Sequence, residues 1–272
     1  MNVIFKTNSI YKDELSVKAK EHNRLMEMHY QKEIQLSYSN SKIYNEDFIL
    51  SEKKNTENIP NIQIVDTDTV SALFMIKDIF DKNSIGILNF ASYKHPGGMF
   101  LKGSTAQEEA LCHESILYNV LYKFNDSYYK ENREKYKIVG NYYSNRGIYS
   151  PEVLFIHNDE NIFTNVITVA SPNKRYNPYH FIDRNINSQS LDSRIKFILD
   201  IAEDNNLKTL ILGAFGCGVF KQDPKEVASI FKKYLLSKFY NFENIIFAIP
   251  YGNNYEEFVK VFKDILFGFF MD

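Results

Sequence analysis

Cysteine is nearly missing from this 272-residue chain. The two present, Cys112 and Cys217, belong to no CxxC pair, which argues against a structural zinc site and against a small disulfide-stapled fold. At most one disulfide can form, and a reduced cytoplasmic setting is the simpler expectation. Tryptophan is absent, whereas Tyr and Phe number 19 and 22; in a chain that is 44% hydrophobic, most of these rings belong in a core. Neither charge sign is in excess: the formal net charge is −2 with 24% charged residues. That argues against a protein made mainly to coat nucleic acid, while leaving room for a local basic pocket. Long apolar runs are also lacking. No window reaches the roughly 18 residues of a membrane span, and the opening Met-Asn-Val-Ile-Phe-Lys has no signal-peptide apolar stretch. The apolar end, Ile265 to Met271, is too short to span and is expected to pack on the body. The histidines show no metal-ligand spacing, and His113-Glu114 is not part of an HExxH motif, so neither metal nor cofactor is expected.

The first sixty residues are polar and rich in Lys, Glu and Asn. Apolar positions Leu15, Val17, Leu25, Met26 and Met28 predict one amphipathic helix over 11–35, and 51–60 has the composition of a solvated connection. From residue 61 short Ile/Val-rich runs alternate with helical patterns. Strands are predicted at Ile62–Val65, Ile85–Phe90, Val153–His157, Val166–Ala170, Thr209–Leu212 and Ile245–Ile249. Helices are predicted at Val70–Asp81, Gln107–Phe124, Leu191–Asn205, Pro224–Phe239 and Tyr255–Phe267. Strands that are apolar throughout, alternating with helices, imply a three-layer α/β domain whose sheet is covered on both faces. The expected division is a helical N-terminal extension, 1–60, packed on a main domain, 61–272. The Tyr-, Asn- and Lys-rich stretch 125–151 has weak periodicity and is expected to be an insertion or lid.

The most chemically suggestive segment runs from Pro96 to Glu109, Pro-Gly-Gly-Met-Phe-Leu-Lys-Gly-Ser-Thr-Ala-Gln-Glu-Glu. Glycines let a backbone approach a ligand closely, and carboxylates can move protons. The segment leaves the strand ending at Phe90 and enters the helix beginning near Gln107. Ligands in open α/β sheets bind beyond the carboxyl ends of strands, so Asn89, Ser92, Gly97, Gly98 and Gln107 fall where a pocket is expected. Glu108 has a competing explanation, because Thr105-Ala106-Gln107-Glu108 fits a capping box with Thr105 as cap. A capping box uses one carboxylate only, which leaves Glu109 pointing about 100° further around the helix.

A second segment, Gly213-Ala214-Phe215-Gly216-Cys217-Gly218-Val219-Phe220, joins a strand to a helix that Asp223-Pro224 should start. Such a turn either presents backbone N–H groups to an anion or is merely a tight connection. It matches neither the P-loop nor the GxGxxG pattern. Cys217 has no identifiable partner His and reads as a small residue in a crowded loop. At the end of the first main-domain strand, Asp66 is a candidate hydrogen-bond acceptor for a base or a ribose, while Asp68 and Thr69 fit a helix cap. Ala170-Ser171-Pro172-Asn173 marks another strand end and a rigid turn.

Taken in order, Asn89-Phe90-Ala91-Ser92, Pro96-Gly97-Gly98-Met99, Gln107-Glu108-Glu109-Ala110-Leu111-Cys112, Ala170-Ser171-Pro172-Asn173 and Gly213 to Phe220 resemble the poly(ADP-ribose) glycohydrolases of the microbial branch. The resemblance covers roughly residues 60–260. It implies a macrodomain-like mixed sheet between helices, binding ADP-ribose across its strand ends. It implies Glu109 as acid and base, Glu108 holding ribose hydroxyls, and Gly216, Cys217, Gly218 and Val219 as a diphosphate loop. Phe220 would position the distal ribose, Asp66 would contact the adenine side, and Tyr251 would stack on adenine. The implied substrates are ADP-ribosylated macromolecules, hydrolysed mainly at chain ends by a monomer that needs no cofactor and no membrane. The alternatives are a macrodomain that binds ADP-ribose without turnover, or a hydrolase of single ADP-ribose units on protein or nucleic acid. One departure stands out: Met99 occupies the place of the family's third glycine.

Overall fold

A computed structural model describes residues 2–50, 58–175 and 183–266 of the chain. Helices α1 (Asn2–His29) and α2 (Gln31–Asn40) lead into β1 (Lys42–Tyr44), then β2 (Asn61–Val65), α3 (Thr69–Ile76) and β3 (Ile85–Phe90). Next come α4 (Gln107–His113), α5 (Leu117–Tyr122), a π turn (Asn125–Tyr129), α6 (Lys130–Val139), β4 (Gly147–His157) and β5 (Glu160–Val169). The chain closes with α7 (Arg184–Asp204), β6 (Thr209–Leu212), α8 (Pro224–Leu235), β7 (Asn244–Ala248) and α9 (Asn253–Leu266).

The strands form one mixed sheet in the order β1-β4-β5-β3-β6-β7-β2. The β1–β4 and β4–β5 pairs are antiparallel; the others are parallel. Period-two side chains of the central strands feed two separate cores. Ile87, Val166, Ile211 and Ile246 face a core shared with α3, α4 and α5. Their chain neighbours Leu88, Ile167, Leu210 and Ile245 face a second core shared with α7, α8 and α9. That explains why these strands are apolar throughout and confirms the three-layer expectation. Three helices start where an aspartate caps them: Asp68, Asp183 and Asp223 each accept from two backbone N–H groups of the first turn.

Several boundaries differ from expectation. The helix predicted over Gln107–Phe124 is two helices. Ser115 breaks it, its Oγ donating to the Leu111 carbonyl and accepting from the Leu117 amide, while neighbouring backbone groups bond to β4. The helix predicted to reach Asp81 stops at Ile76. The strand predicted from Val153 begins at Gly147, because a register shift between Ser150 and Val153 carries Pro151 and Glu152 through the strand as a bulge. The single helix expected over 11–35 is interrupted at Tyr30.

The stretch 125–151 is not a detached lid. Its Tyr128, Tyr129, Asn132, Asn141, Ser144 and Arg146 are buried. Its weak periodicity comes from a π turn, a short helix and a 3-10 turn in succession. The N-terminal helices pack on the body: Ser16 Oγ donates to the Leu101 carbonyl at 2.7 Å, and Ser37 Oγ to the Pro151 carbonyl at 2.6 Å. Most of the connection at 51–60 and residues 267–271 of the apolar C-terminal stretch lie outside the described residues.

Candidate active site

The carboxyl ends of β2, β3, β5, β6 and β7 share one edge of the sheet, because these strands run parallel. A cavity of about 690 Å³ opens there. Its walls include Gln107, Ala110 and Leu111 of α4, the loop Gly216 to Lys221, Ser171 after β5, and Ile249 and Pro250 after β7. This size and placement suit a ligand of nucleotide dimensions.

Gln107 fastens α4 to the sheet. Its Oε1 accepts from the Phe90 amide at 2.8 Å, and its Nε2 donates to the Leu88 carbonyl at 2.8 Å. The side chain thus replaces a neighbouring strand where β6 no longer pairs with β3. All three of its bonds go to the protein, the third to Thr69 Oγ1, so Gln107 positions the helix. The two residues that follow are held against the strand end.

Glu108 and Glu109 are only 3% and 5% exposed. The capping box is not formed: Ala106 is the N-cap and makes no side-chain bond. Glu108 turns inward instead. Its Oε2 accepts from the Ser92 amide at 2.7 Å and its Oε1 from Asn89 Nδ2 at 3.4 Å. Burial, reinforced by the Glu109 charge and opposed by these hydrogen bonds, pushes the Glu108 carboxyl up to about 8. Glu109 Oε1 accepts from the Met99 amide at 2.8 Å. Its other oxygen has no protein partner among the described residues and keeps some contact with solvent.

Gly98 is required here for two reasons. Its φ is +58°, and a Cβ would lie 2.6 Å from Glu109 Oε1 and 2.9 Å from Glu108 Oε2. Met99, at φ −111°, sits where an ordinary residue is comfortable. The departure from the third glycine therefore costs the backbone nothing, and the Met99 amide still reaches Glu109.

The loop from Gly213 to Phe220 leaves β6 and returns to α8. Phe215, Cys217, Lys221 and Gln222 donate to carbonyls of the loop itself. The amides of Gly216, Gly218, Val219 and Phe220 have no acceptor among the described residues, which leaves a row of donors beside the cavity. Cys217 Sγ lies 3.8 Å from the Phe215 carbonyl, and burial pushes its thiol up to about 12, so it is no thiolate nucleophile. The Phe220 ring meets Tyr143 edge-on, with centroids 6.2 Å apart.

Asp66 is exposed and accepts from the Tyr251 amide at 2.7 Å. Tyr251 is 70% exposed, and its ring packs near Tyr255. They tie the loop after β2 to the loop after β7. Neither lines the cavity, nor do Asn89, Ser92, Gly97, Gly98, Glu108 and Glu109, which cluster beside its α4 wall; Asp68, Val70, Ile249, Pro250 and Asn254 line the β2–β7 end. Ser92 supplies its amide to Glu108, and its hydroxyl accepts from the His95 amide at 3.2 Å.

Sequence reasoning overlooked Ser171 as more than a turn, although it lines the cavity, and Tyr129. The Tyr129 hydroxyl is buried without a partner among the described residues, and burial and the Glu108 charge hold its pKa high. The density of tyrosines in 125–151 was the only signal. Arg194 was also overlooked. Buried in α7, it donates to the carbonyls of Ala170 and Tyr143 and so ties the end of β5 to the loop carrying Tyr143.

The family model "Microbial-type PARG, catalytic domain" matches residues 9–158. Among curated protein sequences none matches the chain. Solved structures do. The poly(ADP-ribose) glycohydrolase of Thermomonospora curvata superposes with a TM-score of 0.81 at 24% identity, over 92% of this chain and all of that one. The same enzyme bound to the inhibitor ADP-HPD gives 0.80 at 26%, over 91% and 99%. The Deinococcus radiodurans enzyme in complex with ADP-ribose gives 0.74 at 25%, over 85% and 98%. With paired carboxylates at the end of β3, a donor-lined loop after β6, and a family match across more than half its length, the chain belongs to the microbial-type poly(ADP-ribose) glycohydrolase family.

Proposed function

We propose that the chain hydrolyses ribose–ribose O-glycosidic bonds in poly(ADP-ribose), releasing ADP-ribose from chain ends, with Glu109 as general acid and then general base. The observation that carries the assignment is the unequal bonding of the two carboxylates. Both oxygens of Glu108 are engaged by Asn89 and Ser92, whereas Glu109 keeps one oxygen free. A group that must give and take a proton needs a free oxygen; a group that grips ribose hydroxyls needs a fixed one. The Glu109 carboxyl protonates the bridging oxygen as its bond to the anomeric carbon breaks, and that oxygen leaves as a hydroxyl of the shortened polymer. The same carboxylate then takes a proton from water as the water oxygen bonds to the anomeric carbon. The cation-like sugar between these steps is stabilised by the substrate diphosphate, held on the amides of Gly216, Gly218, Val219 and Phe220. Acid–base assistance of this kind is worth about 10²–10⁴-fold.

A chain-end preference follows from size. The cavity admits about one nucleotide-like unit, which suits a terminal residue of the polymer. The test is ADP-ribose release from poly(ADP-ribosyl)ated protein by wild type and Glu109→Gln. Release by wild type with a loss of at least about 100-fold in the variant is expected; no release, or equal rates, overturns the assignment. Calorimetry with ADP-ribose in parallel separates an enzyme from a protein that only binds.

A further inference from the structure

Around the Gly97–Met99 turn, among residues that do not line the cavity, basic groups gather. Lys94 and His95 precede the turn, and the His95 carbonyl accepts from the Gly98 amide at 3.1 Å. Lys102 follows the turn in a 3-10 segment. Arg133 reaches in from α6, and its Nη1 donates to the Lys94 carbonyl at 2.9 Å. The Lys94 ammonium sits 4.0 Å from the centre of the Tyr136 ring, which restrains it. After burial, the charges of Lys94, Arg133 and Lys102 are what hold the His95 imidazole below its usual range, so the four groups share one field.

Among the described residues, no carboxylate lies within ion-pairing distance of Lys94, Lys102 or Arg133. Lys135 pairs with Glu46 and Lys137 with Glu134. Three cations without a carboxylate partner thus flank the turn that carries the hydrogen bond to Glu109. None of them lines the cavity.

We propose that Lys94, Lys102 and Arg133 form a second anion subsite, which holds the diphosphate of the ADP-ribose unit next to the one being released. The inference rests on the function proposed above. On that reading the cavity of about 690 Å³ takes one unit, so the rest of the polymer lies outside it. The oxygen that Glu109 protonates belongs to the adenine-bearing ribose of the neighbouring unit. That unit's diphosphate is only a few bonds away, and it must pass the turn that holds Glu109. Each such diphosphate brings two negative charges to a rim with three unpaired positive ones. The subsite would favour polymer over single ADP-ribose groups without any contact to the released unit.

The test compares binding of a defined ADP-ribose trimer with binding of free ADP-ribose. Both are titrated calorimetrically at low and physiological salt, in the Glu109→Gln background so that the trimer survives. Replacing Lys94 and Lys102 by Gln should weaken trimer binding about five- to ten-fold and leave ADP-ribose affinity within about two-fold. The salt dependence of trimer binding should flatten as the two charges are removed. If Glu109→Gln does not fold, the KM for trimer set against the product-inhibition constant of ADP-ribose in otherwise wild-type enzyme gives the same ratio, and Lys102→Glu, at an exposed position, gives a third reading. Equal affinity for trimer and ADP-ribose with the rim intact, or parallel weakening of both, overturns the proposal. So does tighter rim-dependent binding of a single-stranded RNA of equal charge. Absence of ADP-ribose release by wild type would instead defeat the hydrolytic reading, while the trimer-to-monomer ratio would still decide the rim.

Discussion

Two adjacent glutamates of one helical turn have different environments, and the difference has thermodynamic consequences. The Glu108 carboxyl is raised to about 8 in the folded protein from an ordinary value of 4.5. The folded state thus binds this proton more tightly than the unfolded state. Its ionisation destabilises the fold progressively as pH rises from about 4.5 to 8, and fully above that. At about 1.4 kcal/mol per unit the effect is on the order of 5 kcal/mol at most. Glu108→Gln carries no such penalty. Urea titrations at pH 5 and pH 9 should therefore show the variant gaining on wild type at the higher pH; a pH-independent difference would contradict the assignment. The roles of these residues were only half legible in the sequence. The spacing of Thr105 and Glu108 matched a capping box, and nothing local distinguishes a carboxylate that caps from one that turns back to meet Ser92 and Asn89. That choice depends on β3 lying alongside, sixteen and nineteen residues away in the chain.

Among the elements, α4 is short, and its placement depends on one side chain. Gln107 covers the Phe90 amide and the Leu88 carbonyl, which have no strand to pair with. Gln107→Leu should leave both without partners and cost about 2 kcal/mol. Urea denaturation would measure that loss, and ADP-ribose release should fall with it as both glutamates lose their footing. An unchanged urea midpoint would mean that α4 is held by its apolar contacts alone. Helix starts at this scale were read from sequence where a local mechanism marks them: Asp223-Pro224 caps α8 as expected. Helix ends were not. The break at Ser115 arises because Glu114 and Ile116 exchange backbone bonds with β4, a partner that enters the chain some forty residues later.

Over the whole molecule, α1 is joined to the active-site turn. Ser16 bonds to Leu101, and the Gly103 backbone, at φ +74°, passes so close to α1 that a Cβ there would overlap the Lys12 carbonyl. Gly103→Ala combines a left-handed conformation with that overlap and should cost about 2–3 kcal/mol. Its urea midpoint and its ADP-ribose release should fall together; full activity in a destabilised variant would show that α1 docking and the Met99 turn are independent. The sequence alone determined the layered α/β class, because two-sided burial leaves its mark in uninterrupted Ile and Val runs. It also singled out Gly97 to Glu109 and Gly213 to Phe220 as the candidate segments, because glycines, paired acids and an Asp-Pro helix start act through local geometry. Tertiary structure alone decided which glutamate keeps a free oxygen, that Asp66 and Tyr251 serve each other outside the cavity, that the tyrosine-rich stretch is core, and that three cations go unpaired beside the Met99 turn. These outcomes depend on partners distant in the chain, whose approach is set by packing and whose charges act through space.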